Sequence, residues 1–180
     1  MTKMLVSGFG GQGVLTLGEI IANIAMHKGK EVTWMPAYGP EMRGGTANCA
    51  VVVSDRQVGS PIVQSEIDIL CAMSQPAAEK FIPLVANGGR VLLNSSIVTV
   101  PARRDDVTVL EIDATNIAVR VGNVRTQNMV MLAGFLKMVD WFTLDDVEAA
   151  LKQKYDTKNP KMIALNIKAI EEGLKELIER

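Results

Sequence analysis

Six residues near the amino terminus, Gly8-Phe9-Gly10-Gly11-Gln12-Gly13, have the spacing G-x-G-x-x-G. They follow a strand-like run and open a helical one, which is the context that spacing requires if it is to bind phosphate. Glycine lets the chain turn sharply and lets backbone N–H groups approach a ligand, and the start of a helix offers unpaired donors to an anion. The plainer alternative is that these glycines only permit tight packing of a strand against a helix. A second segment, Tyr38-Gly39-Pro40-Glu41-Met42-Arg43-Gly44-Gly45-Thr46, is expected to leave the second strand at the same sheet edge. Ligands of open α/β sheets bind along that edge. Arg43 brings a planar fork suited to phosphate or carboxylate, and Tyr38 a flat surface for packing. A surface loop of solvated charges is the competing reading.

Several chemistries are excluded. A dinucleotide site expects an acidic side chain where the second strand ends, to hold the ribose hydroxyls. Here that strand reads as ending in Trp34-Met35-Pro36, with Glu31 ahead of it, so a nicotinamide-dependent dehydrogenase is a weak fit. No G-x-x-x-x-G-K-[ST] occurs, and the glycine turn lacks the lysine and hydroxyl that handle terminal phosphates and magnesium. Cys49 and Cys71 are the only cysteines and form no C-x-x-C, so a four-cysteine iron–sulfur cluster cannot be built; both sit in apolar runs and read as small core residues. The single histidine, His27, falls near a helix end, where its charge suits the dipole. Asp105-Asp106 and Asp145-Asp146 read as caps rather than paired acids. No catalytic residue and no metal ligand is assigned, which points to a chain that does no chemistry alone.

The elements that must position these loops alternate apolar, β-branched runs with helical periodicity, the pattern of a parallel sheet flanked by helices. The expected fold is α/β: an open, mostly parallel Rossmann-like sheet with a helix-rich C-terminal third. Strands are expected at Met4 to Ser7, Val32 to Met35, Ala47 to Ser54, Ile67 to Met73, Arg90 to Asn94 and Thr108 to Ile112. Asp55 to Val63 is expected to form an antiparallel hairpin at the sheet edge, and Asn87-Gly88-Gly89 a turn. The first helix runs from about Val14 to Lys28, with Leu17, Ile20, Ile21 and Ile24 on one face and Gly29 at its end. Thr126 to Val139 is apolar nearly all round and so expected to be buried. Thr143 with Asp146 forms a capping box, and Asn159 caps the last helix ahead of Pro160. No repeat and no linker breaks the chain, so residues 1–180 are read as one domain.

At 180 residues, 48 % hydrophobic and 22 % charged, with 19 basic against 20 acidic side chains, the chain is neither disordered nor a nucleic-acid-binding polycation. The longest apolar run, Met129 to Leu136, is too short to span a bilayer. Met1-Thr2-Lys3 leads directly into a strand, so a cytoplasmic location is expected.

Together, GFGGQGVLTLGEIIANIA and YGPEMRGGTANCAVVVSD resemble the gamma subunit of 2-oxoacid:ferredoxin oxidoreductases, and the likeness covers most of the chain. Asp68-Ile69-Leu70 and the helix bearing Arg125, Thr126, Asn128, Ala133 and Gly134 follow in that family's order. The resemblance implies a gamma-type domain over the whole chain, within an enzyme converting a 2-oxoacid, coenzyme A and oxidised ferredoxin to acyl-CoA, carbon dioxide and reduced ferredoxin. Of its substrates, 2-oxoglutarate fits the short chain and the YGPEMRGG loop best, ahead of pyruvate, branched-chain and indolepyruvate types. It implies thiamine diphosphate, Mg2+, 4Fe–4S clusters and coenzyme A, held mainly by partners: alpha and beta subunits, a ferredoxin-like delta subunit in some complexes, and ferredoxin as acceptor. Carried over by position, Gly8, Gly10, Gly11, Gln12, Gly13, Tyr38, Glu41, Arg43, Gly44 and Gly45 then face the shared active-site region. The rival reading is a stand-alone nucleotide-binding module or sensor, which micromolar binding of NAD, FMN or ATP by the isolated chain would favour.

Overall fold

The computed structural model describes residues 1–39, 45–99, 104–155 and 159–179. In chain order the elements are β1 (Thr2–Phe9), α1 (Val14–His27), β2 (Glu31–Tyr38), β3 (Thr46–Ser54), β4 (Ile67–Ala72), α2 (Gln75–Phe81), β5 (Val85–Asn94), β6 (Thr108–Ile112), α3 (Ala114–Val121), α4 (Gln127–Met138), α5 (Leu144–Tyr155), α6 (Pro160–Glu176) and β7 (Ile178–Glu179). The strands form one sheet in the order β2-β3-β1-β4-β5-β6-β7. β1, β4, β5 and β6 run parallel, whereas β3 is antiparallel to both its neighbours and β7 to β6. The open, mostly parallel sheet and the helical C-terminal third match the expectation.

Alternate strand residues feed two apolar layers, as the two-residue period of a strand requires. On one face Met4, Val6, Cys49, Val51, Ile69, Cys71, Leu92 and Ile112 pack under α1, α3, α4, α5 and α6. On the other, Leu5, Ala50, Leu70, Val91 and Leu93 pack under α2. α4 is buried all round because it lies between the sheet and α6. Gly173 makes that approach possible, since a Cβ there would stand 2.8 Å from the Val130 carbonyl oxygen.

Two local expectations give way. Residues 55–66 carry no strand; the antiparallel hairpin is instead β2–β3, pairing Glu31 with Ser54 through to Tyr38 with Ala47. β3 can also pair along the whole of β1, from Thr2 with Val53 to Phe9 with Thr46, so its apolar side chains are buried where those of 55–66, interrupted by Gly59 and Pro61, are not. Asn87-Gly88-Gly89 does not end a strand but lies within β5 as a bulge, the pairing stepping from Ile67 with Val85 to Ile69 with Arg90. Gly88 does adopt the left-handed conformation that the glycines suggested, at φ 76°, and its N–H donates to the Asp106 carbonyl oxygen at 2.7 Å.

The helix caps form as read. Asn159 Oδ1 accepts the Met162 N–H at 3.3 Å, and Asp146 Oδ2 accepts the Thr143 N–H at 2.8 Å. Asp146 also pairs with Lys28 at 2.8 Å, tying the start of α5 to the end of α1. The Lys28 ammonium holds the Asp146 carboxyl below the usual value of 3.8, and Lys30 does the same for Asp55. A depressed carboxyl binds fewer protons folded than unfolded, so its stabilisation is complete above the unfolded value and is lost as pH falls through the folded one. The expected result is a thermal midpoint that is flat near neutrality and drops below about pH 4, less steeply in Asp146→Asn than in the parent chain. Both pairs are partly exposed and each is worth little, so the difference will be small and will shrink with added salt.

Candidate functional site

The site is built at the carboxyl-terminal end of β1. After Phe9 the chain turns through Gly10-Gly11-Gln12-Gly13, and the Gln12 N–H closes the turn on the Phe9 carbonyl oxygen at 3.2 Å. Gly13, at φ 78°, is the N-cap of α1, and its carbonyl oxygen accepts the first helical bond from Leu17 at 2.9 Å. Gly13 supplies no side-chain cap and the first turn holds no acidic residue. The amides of Val14, Leu15 and Thr16 therefore have no acceptor within the helix, the arrangement that receives an anion. Asn128, at the start of α4, donates from Nδ2 to the Gly13 carbonyl oxygen at 3.3 Å. A Cβ on Gly13 would press into that carboxamide, 2.6 Å from Asn128 Cγ, so both backbone conformation and space require glycine.

The side chain of Gln12 points back into the sheet. Oε1 accepts the Phe9 N–H at 2.6 Å, and Nε2 donates to the Met73 carbonyl oxygen at 2.7 Å, just past the end of β4. Met73 in turn donates its N–H to the Ser7 carbonyl oxygen at 2.8 Å. Gly8 is needed here because a Cβ would run into Gln12 Oε1. Between β1 and β4 the connections diverge, the first crossover leading to β2 on one side and the sheet continuing through β4, β5 and β6 on the other. That divergence marks where open α/β sheets bind ligands.

The second predicted segment meets the first. Gly10 donates its N–H to the Gly45 carbonyl oxygen at 2.8 Å, and Gly39 donates to the Thr46 carbonyl oxygen at 2.7 Å, so the start of β3 lies beside the glycine turn. Tyr38 is 71 % exposed at its near end. Of the ten residues singled out from sequence, Gly8, Gly10, Gly11, Gln12, Gly13, Tyr38 and Gly45 are thus gathered at one edge, and Glu41, Arg43 and Gly44 lie outside the described residues. One detail differs from the expected donor-rich turn. The amides of Gly10 and Gln12 are consumed by internal closure, which leaves the first turn of α1, whose N–H groups have no intrahelical acceptor, as the main set of donors.

Sequence reasoning assigned no role to Asn128 or to a polar cluster at the ends of β5 and β6. There Asn94 Nδ2 donates to Thr115 Oγ1 at 3.0 Å, Thr115 Oγ1 to Gln127 Oε1 at 3.3 Å, and Ser96 Oγ to Asp113 Oδ1 at 2.5 Å. Single polar residues scattered over 34 positions carry no local pattern; their one signal is that each sits at a strand or helix terminus. The cysteines are buried, and burial pushes the Cys49 thiol up to about 12 and Cys71 up as well, so neither supplies a thiolate. His27 is exposed at the far end of α1, about 20 Å from the turn by helix length. Among the described residues no group of three metal-ligating side chains forms, and no helix is long and apolar enough to cross a membrane.

Residues 3–176 match the family model for pyruvate ferredoxin/flavodoxin oxidoreductase. The chain belongs to that family. Among curated members it is 38 % identical to ketoisovalerate oxidoreductase subunit VorA of Methanothermobacter thermautotrophicus over 173 residues, covering 95 % of this chain and 35 % of VorA. It is 34 % identical to 2-oxoglutarate synthase subunit KorC of Methanocaldococcus jannaschii over 152 residues, covering 83 % of this chain and 81 % of KorC. The chain therefore spans about a third of the length of VorA but most of KorC. In structure it resembles the gamma subunit of a keto/oxoacid ferredoxin oxidoreductase from Geobacter sulfurreducens, with a TM-score of 0.79, 27 % identity and 98 % of each chain covered.

Proposed function

We propose that this chain is the gamma subunit of a 2-oxoacid:ferredoxin oxidoreductase, folded as one domain over residues 1–180, with no catalytic residue of its own. Family membership and the match along nearly the whole of a gamma subunit support this reading. Thiamine diphosphate, Mg2+ and 4Fe–4S clusters then reside on alpha, beta and delta partners. This fits a chain with two buried thiols and, among the described residues, no metal-binding cluster. Exposed apolar side chains on the edge strand β2 and beside it, Trp34, Met35, Tyr38 and Phe9, suit a sheet edge that partners cover. The free thiols suit a reducing cytoplasm. The oxoacid is 2-oxoglutarate or a relative of it; KorC shares the chain's length, while VorA, named for ketoisovalerate, shares more of its residues.

Within that complex the sheet edge holds the phosphates of coenzyme A. The observation that supports this reading is the bond from Gly10 to Gly45, which joins the residue just ahead of β3 to the glycine turn that opens α1. The binding residues are Gly10, Gly11, Gly13, Tyr38, Glu41, Arg43, Gly44 and Gly45, with Gly8 and Gln12 shaping the turn. Losing a charge-assisted hydrogen bond to phosphate costs about 1.5–3 kcal/mol, so Arg43→Ala in the assembled complex should raise the KM for coenzyme A roughly 10- to 100-fold with kcat for the oxoacid half-reaction unchanged. An unchanged KM removes Arg43 from that role, and turnover of an oxoacid by the isolated chain overturns the subunit reading.

A further inference from the structure

Gln12 is the one residue of the glycine turn whose side chain is committed to the sheet. Its carboxamide lies in the crevice between the ends of β1 and β4, where a dinucleotide-binding sheet admits its pyrophosphate. The two groups it occupies, the Phe9 N–H and the Met73 carbonyl oxygen, are backbone groups at a strand end that a ligand entering the crevice would otherwise meet. Filling them takes a side chain that accepts at one atom and donates at its neighbour, across a gap that asparagine is one methylene too short to span. Glutamate has the length and no donor when ionised; methionine has the length and neither function. The sheet makes room for this carboxamide by carrying glycine at position 8, and Met73 is fixed in turn by its bond to Ser7.

We propose that Gln12 is a positioning and specificity-determining residue. It shuts the β1–β4 crevice and holds the glycine turn at a set distance from β4, so that a phosphorylated ligand lies outside the sheet, over the first-turn amides of α1 on the side where Gly10 is bonded to Gly45. The inference rests on the reading that such a ligand binds at this edge. It assigns Gln12 no contact with the ligand. With the bridge broken, the turn is free to shift relative to the amides of Val14, Leu15 and Thr16, and what suffers is affinity for the phosphates, not the chemistry on partner subunits.

The test uses the assembled complex and reads coenzyme A kinetics as a ratio to the parent at each pH. In Gln12→Glu, an ionised carboxylate faces the Met73 carbonyl oxygen without a proton to give, and the loss of one partly buried hydrogen bond should raise the KM for coenzyme A roughly five- to tenfold near pH 8, with kcat kept. As the pH is lowered toward the carboxylate range, the carboxyl begins to take up a proton and regain a donor, and the ratio should fall toward one. A residue of merely structural importance would not show this recovery. Gln12→Met, close in volume and unable to hydrogen-bond, should show the raised KM at every pH, and it replaces the Glu variant if that one fails to assemble. A KM ratio near one for both variants across the pH range overturns the inference, as does a fall in kcat at unchanged KM. Arg43→Ala measured alongside separates the two levels: if it raises KM while the Gln12 variants do not, only the positioning role fails. If neither position affects KM, the ligand does not bind at this edge.

Discussion

Phe135→Ala should destabilise the chain by about 3–5 kcal/mol, a large part of the roughly 5–15 kcal/mol available to a typical domain. Phe135 is 0 % exposed and heads the largest fully buried side chains. It lies on α4, which has the sheet on one side and α6 on the other, so removing the ring opens a cavity that three packed elements would have to collapse together. Gly134 beside it already lets Leu92 of β5 sit hard against the helix, which limits how far α4 can settle. Phe135→Leu, which keeps most of the volume, should cost under about 1.5 kcal/mol. Denaturant titration of the chain measures both. A loss below about 1 kcal/mol for the Ala variant would show that α4 is not the keystone between the sheet and the C-terminal helices.

Gly13→Ala is the second large effect, and it acts on the candidate site as well as on stability. A residue with a Cβ pays about 1–2 kcal/mol in the left-handed conformation, and pressing that Cβ into the Asn128 carboxamide adds about 1–3 kcal/mol of overpacking, for a total of roughly 2–5 kcal/mol. Gly11 supplies the control: its φ is 95°, but a Cβ there meets nothing within 4 Å, so Gly11→Ala should cost only the backbone part. Combining Gly13→Ala with Asn128→Ala should cost less than the sum of the two, because the double variant relieves the collision. Equal losses for Gly11→Ala and Gly13→Ala would mean that Asn128 does not set the geometry of the turn. In the assembled complex Gly13→Ala should also weaken coenzyme A, since the N-cap of α1 and its unspent amides move together.

Much of this architecture is legible along the chain because it is decided locally. Thr108–Ile112 is a run of β-branched and apolar residues bounded by turn formers, and it is β6 with those bounds. The caps at Thr143 and Asn159 each need a partner only three residues away, and both form. The glycine turn is equally local, since Gly11 and Gly13 are left-handed and Gly13 opens α1 as the spacing predicts. Strand direction puts Tyr38 and Gly45 at the same edge as the glycine turn, and the Gly10 to Gly45 bond joins the two segments there, because Phe9 at the end of β1 pairs with Thr46 at the start of β3.

What a single strand's pattern does not carry is its neighbour. β3 is buried and apolar whether it pairs parallel or antiparallel, and only its full-length match to both β1 and β2 decides that it enters between them and displaces the simple crossover. Asn87-Gly88-Gly89 reads as a turn and is instead a bulge within β5, because β4 pairs with the strand on both sides of it. Gln12 is the sharpest case. The sequence by itself determined that a glycine turn would open α1 at the end of β1. Tertiary structure alone decided that the one side chain within that turn would face inward, since its carbonyl partner on Met73 is 61 residues away in the chain and is brought within 2.7 Å only by the pairing of β1 with β4. Hydrogen bonds of that range depend on the sheet already being assembled, whereas caps and turns close within a few residues and so leave their mark on the sequence.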